Sequence, residues 1–504
     1  MITHRFAFIF VTIMINLLLT SCGGEADGSG SSANKTPQAS ATPVPAVLAE
    51  DLNEPDDNTQ PENHESSAFY FSYDDSASTA SKELTFTALQ EGRVPPASWG
   101  RPYEYLNSEK FTHFNADSYL PFDVSFGIYA AQALEIPLRE EIDDALYALG
   151  VNISGPNMTQ EERPNVVLTL LVDVSGSMEA PYAIETYGDH RTLLDVVKVG
   201  LMTLLDHLKE GDVLNLVTFS TGSDIPVQNW FYNPSDDTFT NAVAGLYTQA
   251  STNLNAGITK AYEAALQSYQ SHKANRVIIL TDAYANQGEV NPTIIAENTV
   301  INGREGIHFA GIGIGNGFND RFLNQLTDIG KSVYAAMISP GDAERIFGAG
   351  FMNFIDSAVS DVKFRLSYPN NFTHFSSAAE EVSEDPEQVN STNFSYNSSQ
   401  FFLELFSTQN ASDSDTFVLT ITYKEAGETQ TIEIEKTLAQ LQAAGGELHI
   451  KSAAAATTLA SLVNGELSCD VVLASSLYAA TEVSEIFSNY RDAIDHYCAL
   501  INKN

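Results

Sequence analysis

Leu170-Leu-Val-Asp173-Val-Ser175-Gly-Ser177-Met178 is an apolar run that stops abruptly at a carboxylate and then places hydroxyls on alternate positions. A short apolar run bounded by polar residues reads as a strand of a buried sheet, and this one delivers oxygen atoms to the strand's end. Carboxylate and hydroxyl oxygens are the donors of a hard cation. Mg²⁺ takes oxygen ligands octahedrally and keeps several waters, so one or two carboxylates with a few hydroxyls suit it better than a charged cage. Taken alone, Asp-x-Ser-x-Ser is more often a turn or a helix cap, because Ser and Asp are common at both.

Two other segments change that balance. Arg276-Val-Ile-Ile-Leu-Thr281-Asp282 is a second apolar run ending in a carboxylate, and Gln249-Ala-Ser-Thr252-Asn253-Leu-Asn-Ala-Gly257 is a polar loop that leads into a helical pattern. Asp-x-Ser-x-Ser, then Thr, then Asp, in this order, resembles the metal-ion-dependent adhesion site of the von Willebrand factor type A family. The resemblance extends over about residues 160–350 and fills every ligand position: Asp173, Ser175, Ser177, Thr252 and Asp282. It implies that Ser175 and Ser177 bind the cation directly, Thr252 directly or through water, and Asp173 and Asp282 mostly through waters. One coordination corner stays open for a carboxylate from a protein partner. Mg²⁺ is the expected ion, with Mn²⁺ or Ca²⁺ able to use the same donors. One departure stands out: members of the family often carry Asp-Gly at the second acid, whereas this chain has Asp282-Ala283. Alanine has less backbone freedom than glycine, so a slightly different loop path is expected there.

The pattern around these segments predicts an α/β fold with a doubly wound, mostly parallel sheet, whose ligands bind beyond the carboxyl ends of the strands. Leu194, Val197, Leu201, Leu204, Leu205 and Leu208 form a helical stripe. Val213 to Ser220 reads as a strand, and a helix opens at Asn291-Pro292 and reaches about Asn302. Ile307-His-Phe-Ala-Gly-Ile-Gly-Ile-Gly315 is a late strand, Asn319 to Leu326 a helix, and Val333-Tyr-Ala-Ala the edge strand. The glycines at 311, 313 and 315 lie inside a strand and do not form a dinucleotide fingerprint.

Enzymatic readings are weaker. Asp173 could be the nucleophile of a dehalogenase-like phosphotransferase, but that chemistry needs a second acid at the position of Ser175. No G-x-S-x-G, H-E-x-x-H or Walker loop is present. His190, His207 and His308 read as surface or structural histidines. The expectation is a binding protein without catalysis; a scaffold with an architectural metal is the alternative, and a phosphotransferase-like hydrolase the third reading.

Residues 1–21 have His4 and Arg5, then a mostly apolar stretch from Phe6 to Leu19, the build of a secretory signal peptide that is short for a membrane span. Leu19-Thr20-Ser21-Cys22 resembles a bacterial lipobox, which implies lipidation of Cys22, attachment to the cell envelope, and the outer membrane of a Gram-negative bacterium as the destination. Residues 22–66 are Gly, Ser, Ala, Thr, Pro and acid, too poor in apolar side chains to fold. They form a tether that, as a flexible coil, spans about 35 to 40 Å.

Residues 67–160 form an N-terminal accessory module, expected to be α+β or β-rich. With Glu162-Arg163-Pro164 before the first strand, this part resembles the YfbK-like family of bacterial lipoproteins. The adhesion domain occupies 161–350. In 351–450 the pattern changes to alternation: Val362, Phe364, Leu366 and Tyr368 share a face, as do Phe417, Leu419, Ile421 and Tyr423, with a hairpin turn at 424–429. Residues 451–504 read as helices, with Ile486, Tyr490, Ile494 and Cys498 at four-residue spacing. Once Cys22 is set aside, Cys469 and Cys498 are an even pair in an oxidising compartment. They are either two buried thiols or a bridge that contributes roughly 3 kcal/mol. With 25 basic against 65 acidic residues the formal charge is −40, which repels nucleic acid and anionic lipid. The expected partners are a protein offering Asp or Glu and, through the lipid anchor, the membrane.

Overall fold

Apolar strands buried on both faces, short helices between them and a late return to alternating strands build two layered bodies. The structure, a computed structural model, describes residues 66–503, apart from 73–77, 131–135, 138–143, 183–189, 296–305, 330–332 and the single residues 285, 290, 292, 294, 356, 426 and 482. The expected signal peptide, Cys22 and the tether lie outside the described residues, as does most of the helix expected from Asn291.

The N-terminal part contributes β1 (Ser66–Ser72), α1 (Ala80–Gln90), α2 (Pro102–Asn107), β2 (Asp117–Tyr119), β3 (Phe122–Ala130) and β4 (Ala145–Ser154). An α/β domain follows with β5 (Val166–Asp173), α3 (Leu193–Asp206), β6 (Val213–Phe219), β7 (Ser223–Phe231), α4 (Thr238–Ala244), α5 (Leu254–Ser268), β8 (Ala274–Thr281), β9 (Ile307–Ile314), α6 (Asp320–Ile329), β10 (Val333–Met337) and α7 (Phe351–Ile355). The chain ends with β11 (Ser357–Pro369), β12 (Thr373–Ser377), β13 (Glu381–Ser383), β14 (Thr392–Ser395), β15 (Ser399–Thr408), β16 (Thr416–Glu425), β17 (Glu428–Thr437), α8 (Leu438–Ala443), α9 (Glu447–Val463), α10 (Cys469–Ala474) and α11 (Glu485–Ile501).

Among the described residues the sheet of the α/β domain runs β10-β9-β8-β5-β6-β7, parallel throughout except for β7. β5 lies between β8 and β6, and its residues are fully buried, as a central parallel strand with both faces covered must be. Its side chains alternate between two cores. Leu168, Leu170 and Val172 meet Leu194, Val197, Leu201 and Leu204 of α3, while Leu171 joins Ile258 and Ala261 of α5 on the other face. A capping box starts α3: the Thr192 hydroxyl accepts from the Asp195 N–H, and the Asp195 carboxylate accepts from the Thr192 N–H. Strand β7 was not foreseen. It carries Pro226 and mostly exposed side chains, both tolerated only at a sheet edge.

The other body is a two-sheet sandwich. One sheet runs β13-β1-β11-β16-β17, with β14 also on β11, and the other runs β12-β15-β4-β3-β2. Phe71, Phe122, Val151, Phe364, Phe402 and Leu419 fill the space between them. The segments set apart in the sequence, 67–160 and 351–450, are joined here: β1 pairs with β11, and β4 pairs with β15 from Ala145↔Thr408 to Ser154↔Ser399. The chain half-builds the sandwich, folds the α/β domain and returns to complete it, so strands that would otherwise present open edges are paired. The expected β16–β17 hairpin is present, with Glu425 opposite Glu428. At the C-terminus Tyr490, Ile494 and Cys498 are buried and Ile486 half-buried, and a disulfide joins Cys469 of α10 to Cys498 of α11. Among the described residues no helix is long and apolar enough to cross a membrane.

Candidate metal centre

β5 ends by presenting Asp173 at the carboxyl edge of the sheet, where the chain turns away and Val174 donates its N–H to Phe219 O (2.9 Å). Asp173 is completely buried and both its oxygens are engaged. Oδ1 accepts from the Ser175 N–H (2.8 Å), and Oδ2 from the Thr281 hydroxyl (2.6 Å). Ser175 Oγ lies 3.0 Å from Ser177 Oγ. Burial falls along the turn, from Asp173 and Ser175, which are enclosed, to Ser177, which is exposed. The site therefore opens at Ser177.

The polar loop before α5 is tied to this turn by backbone bonds. Gly176 donates to Ala250 O (2.8 Å) and Gln249 to Val174 O (2.6 Å). A Cβ at Gly176 would come within 3.2 Å of the carbonyls of Gln249 and Ala250, so glycine allows the two loops to touch. Thr252, 2% exposed, sits in this loop. Its N–H donates to Asn286 Oδ1 (2.9 Å), and its carbonyl accepts from the N–H groups of Asn286 (3.1 Å) and Gln287 (3.0 Å). The Thr252 loop is thus fastened on one side to the Asp173 turn and on the other to the segment that follows Asp282.

Asp282 closes the arrangement. The Ser177 hydroxyl donates to its carboxylate, Tyr284 N–H approaches its Oδ1 at 3.4 Å, and its carbonyl accepts from Asn319 N–H (2.9 Å). Asp173, Ser175, Ser177 and Asp282 form one linked cluster, and Thr252 is brought to the same edge by its neighbours. Ala283 takes φ 59°, the left-handed conformation that glycine favours. The alanine is therefore met by local strain of about 1–2 kcal/mol and not, as its reduced freedom suggested, by avoidance of that conformation.

Burial raises the Asp173 carboxyl to about 6, and the charge of Asp282 adds to the shift, against hydrogen bonds from Thr281 and Ser175. Burial also raises Asp282, against the bonds from Ser177 and Tyr284. Among the described residues no basic side chain acts on the titration of either carboxylate. Two desolvated acids facing each other without a cation are costly unless a positive charge arrives. Among the described residues no three His, Cys, Asp or Glu side chains gather into a metal cage. The donors here are two carboxylates and three hydroxyls, all hard oxygens, which fit a Mg²⁺-like ion that keeps some of its own water.

Thr281 and Asn286 belong to this site and were not singled out in the sequence. The signal for Thr281 was a buried hydroxyl at the end of an apolar strand, directly before Asp282; Asn286 had none, because its role depends on a fold-made contact. His190 is exposed, as expected.

The profile of the von Willebrand factor type A domain matches residues 168–345. The uncharacterized protein YfbK of Escherichia coli (strain K12) is 25% identical over 291 residues, covering 56% of this chain and 47% of YfbK. Inter-alpha-trypsin inhibitor heavy chain H3 of Mus musculus is 27% identical over 217 residues, 40% of this chain and 22% of the heavy chain. The chain thus spans about half the length of the first of these relatives and less of the second. A solved von Willebrand factor type A structure from Catenulispora acidiphila is 14% identical, with a TM-score of 0.41 and coverage of 76% of this chain and 97% of that one. Domains of this type often bind a divalent metal and take part in protein interactions. Residues 168–345 form a von Willebrand factor type A domain, carried in a longer chain that is similar to YfbK.

Proposed function

We propose that the chain binds a protein partner through a divalent cation held by Asp173, Ser175, Ser177, Thr252 and Asp282. The observation that carries this reading is a pair of buried acids, with no basic side chain of the described residues among the groups acting on them, in a cluster that opens to solvent at an exposed serine. Each acid accepts a hydrogen bond from a neighbouring hydroxyl, Asp282 from Ser177 and Asp173 from Thr281. In Ser177 this leaves the oxygen lone pairs directed away from the acid and available to a cation. Ser175 and Ser177 would ligate directly, Thr252 directly or through water, and Asp173 and Asp282 would hold water around the ion. When bound, Mg²⁺, or Mn²⁺ or Ca²⁺ in its place, would supply a positive centre that a partner's Asp or Glu completes. The few anionic groups in direct reach keep that centre electron-poor.

In this reading the chain works by binding and not by turnover. It is also a protein of the cell envelope, held by lipid on Cys22, and its acidic surface keeps nucleic acid away. The lipobox-like Leu19-Thr20-Ser21-Cys22 and the apolar stretch before it support the anchoring.

The test is calorimetry of chelator-treated protein with MgCl₂, followed by capture of envelope proteins with and without chelator. Wild type is expected to bind Mg²⁺ and to retain partners only in its presence, and Ser177→Ala to do neither. Identical captured proteins in all conditions would sink the binding reading.

A further inference from the structure

The loop after β9, residues 315–319, is held from two directions. On the metal side, Asn319 N–H donates to Asp282 O (2.9 Å) and the Tyr284 hydroxyl donates to Gly317 O (2.6 Å). On the far side both partners come from the N-terminal helices. The Asn316 side-chain amide donates to Glu91, at the end of α1, over 2.9 Å, and the Arg101 guanidinium, at the start of α2, donates to Asp320 over 3.3 Å.

Arg101 is not a loose surface arm. Its Nε lies 2.8 Å from Ser81 Oγ and 2.7 Å from Glu104 Oε1, while Glu104 Oε2 accepts the Ser81 N–H (2.7 Å). The Glu104 side chain is fully buried and that of Arg101 only 17% exposed. A charge-assisted network this enclosed holds its geometry far better than an exposed ion pair.

The loop itself has one close-fitting seat. Phe318 lies over Gly313, where an added Cβ would be 2.4 Å from its ring, and meets Tyr334 edge-on at 6.1 Å between ring centres. Gly315 adopts φ +81° with Leu193 against it, so its backbone does not accommodate a side chain. Moving the Glu91 and Arg101 end of the loop would therefore be felt at the Asn319 to Asp282 bond.

We propose that Arg101 and Glu91 are positioning residues for the metal centre: α1 and α2 seat the 315–320 segment and, through Asn319, fix where Asp282 stands. This rests on the metal-binding reading above. Linkage makes the effect reciprocal, so occupancy of the site also steadies α1 and α2.

The test uses the full chain and the metal alone. Mn²⁺ affinity is measured by electron paramagnetic resonance, and hydrogen exchange of residues 80–107 is followed with and without Mg²⁺. Asn316→Ala and Asp320→Ala cut the clamp from the loop side and leave the Arg101–Glu104 pair intact; Arg101→Lys keeps the charge, and Lys436→Ala removes an ion pair on the sandwich as a control. The expected result is a loss of about 5-fold or more in Mn²⁺ affinity for the two loop variants. Arg101→Lys should lose less, and the control nothing. Exchange in 80–107 should slow with Mg²⁺ in wild type and not in the loop variants. If wild type binds Mn²⁺ and both loop variants bind it equally tightly, the clamp is refuted and the metal site stands. If wild type binds no Mn²⁺, the metal reading fails and the clamp with it.

Discussion

Asp212 and Asp173 sit at opposite edges of the same sheet, both fully buried, and they are treated in opposite ways. Asp212 is saturated: Arg163 donates twice, at 3.0 and 2.5 Å, Asn165 donates its side-chain amide at 3.0 Å, and the N–H groups of Val166 and Lys209 donate at 3.0 and 2.8 Å. Burial pushes its carboxyl upward, but Arg163 and the backbone donors outweigh burial and hold it below the usual range. Asp173 has a hydroxyl, an N–H and a second acid, and is raised to about 6. A buried acid with its full complement belongs to the fold. One left facing another acid is, in the function proposed above, a site whose charge is balanced from outside.

The largest expected effect breaks the saturated edge. Arg163→Ala leaves Asp212 buried without the guanidinium that balances its charge and should cost about 3–5 kcal/mol in urea denaturation. A loss near that of a surface pair, under about 1 kcal/mol, would mean that Asp212 is reached by water after all.

At the other edge the same kind of change should have the reverse sense. Asp173→Ala removes an acid that is costly without a cation, so the metal-free protein should be as stable as wild type or more so. Mg²⁺ at a hundredfold excess over its dissociation constant should stabilise wild type by about 2.7 kcal/mol and the variant not at all. A thermal scan in EDTA and in MgCl₂ decides this, and an equal Mg²⁺ response in both proteins would contradict the comparison.

Acid titration sharpens the contrast. Because the folded carboxyl of Asp212 is depressed, its contribution is fully present above the ordinary carboxylate range and is lost as the pH falls through its folded value, below about 4. The stability gap between wild type and Asp212→Asn should therefore narrow as the pH is lowered from 5 to 3. A gap that stays constant would show that the charge of Asp212 is not what Arg163 holds.

The smallest effect concerns Ala283. Ala283→Gly relieves strain of about 1–2 kcal/mol. It also loses a buried methyl worth about 0.8 kcal/mol and loosens the unfolded chain by about 0.4–1 kcal/mol. The net change in denaturation midpoint should be close to nil, whereas a shift equivalent to more than 2 kcal/mol would show that the left-handed turn carries more strain than its φ implies.

Much of this was legible because it is local. Apolar runs ending in Asp173 and Asp282, the stripe of α3 and the alternation of β16 and β17 are patterns within a few residues. The shared sandwich was not legible. Pairing of β1 with β11 and of β4 with β15 joins segments separated by the whole α/β domain, and nothing in either strand specifies its partner. Arg163 was visible only as part of Glu162-Arg163-Pro164, because its partner Asp212 lies 49 residues away. Strand β7 escaped because an edge strand with a proline and one polar face lacks the apolar run that marks its neighbours.

Crystals grown with MnCl₂ and measured at a wavelength where manganese scatters anomalously test the central claim most directly. The account predicts one strong anomalous peak at the sheet edge, within ligand distance of the Ser175 and Ser177 oxygens and beside Thr252. A map without a peak there, in crystals where Ser177 is free of lattice contacts, would contradict it.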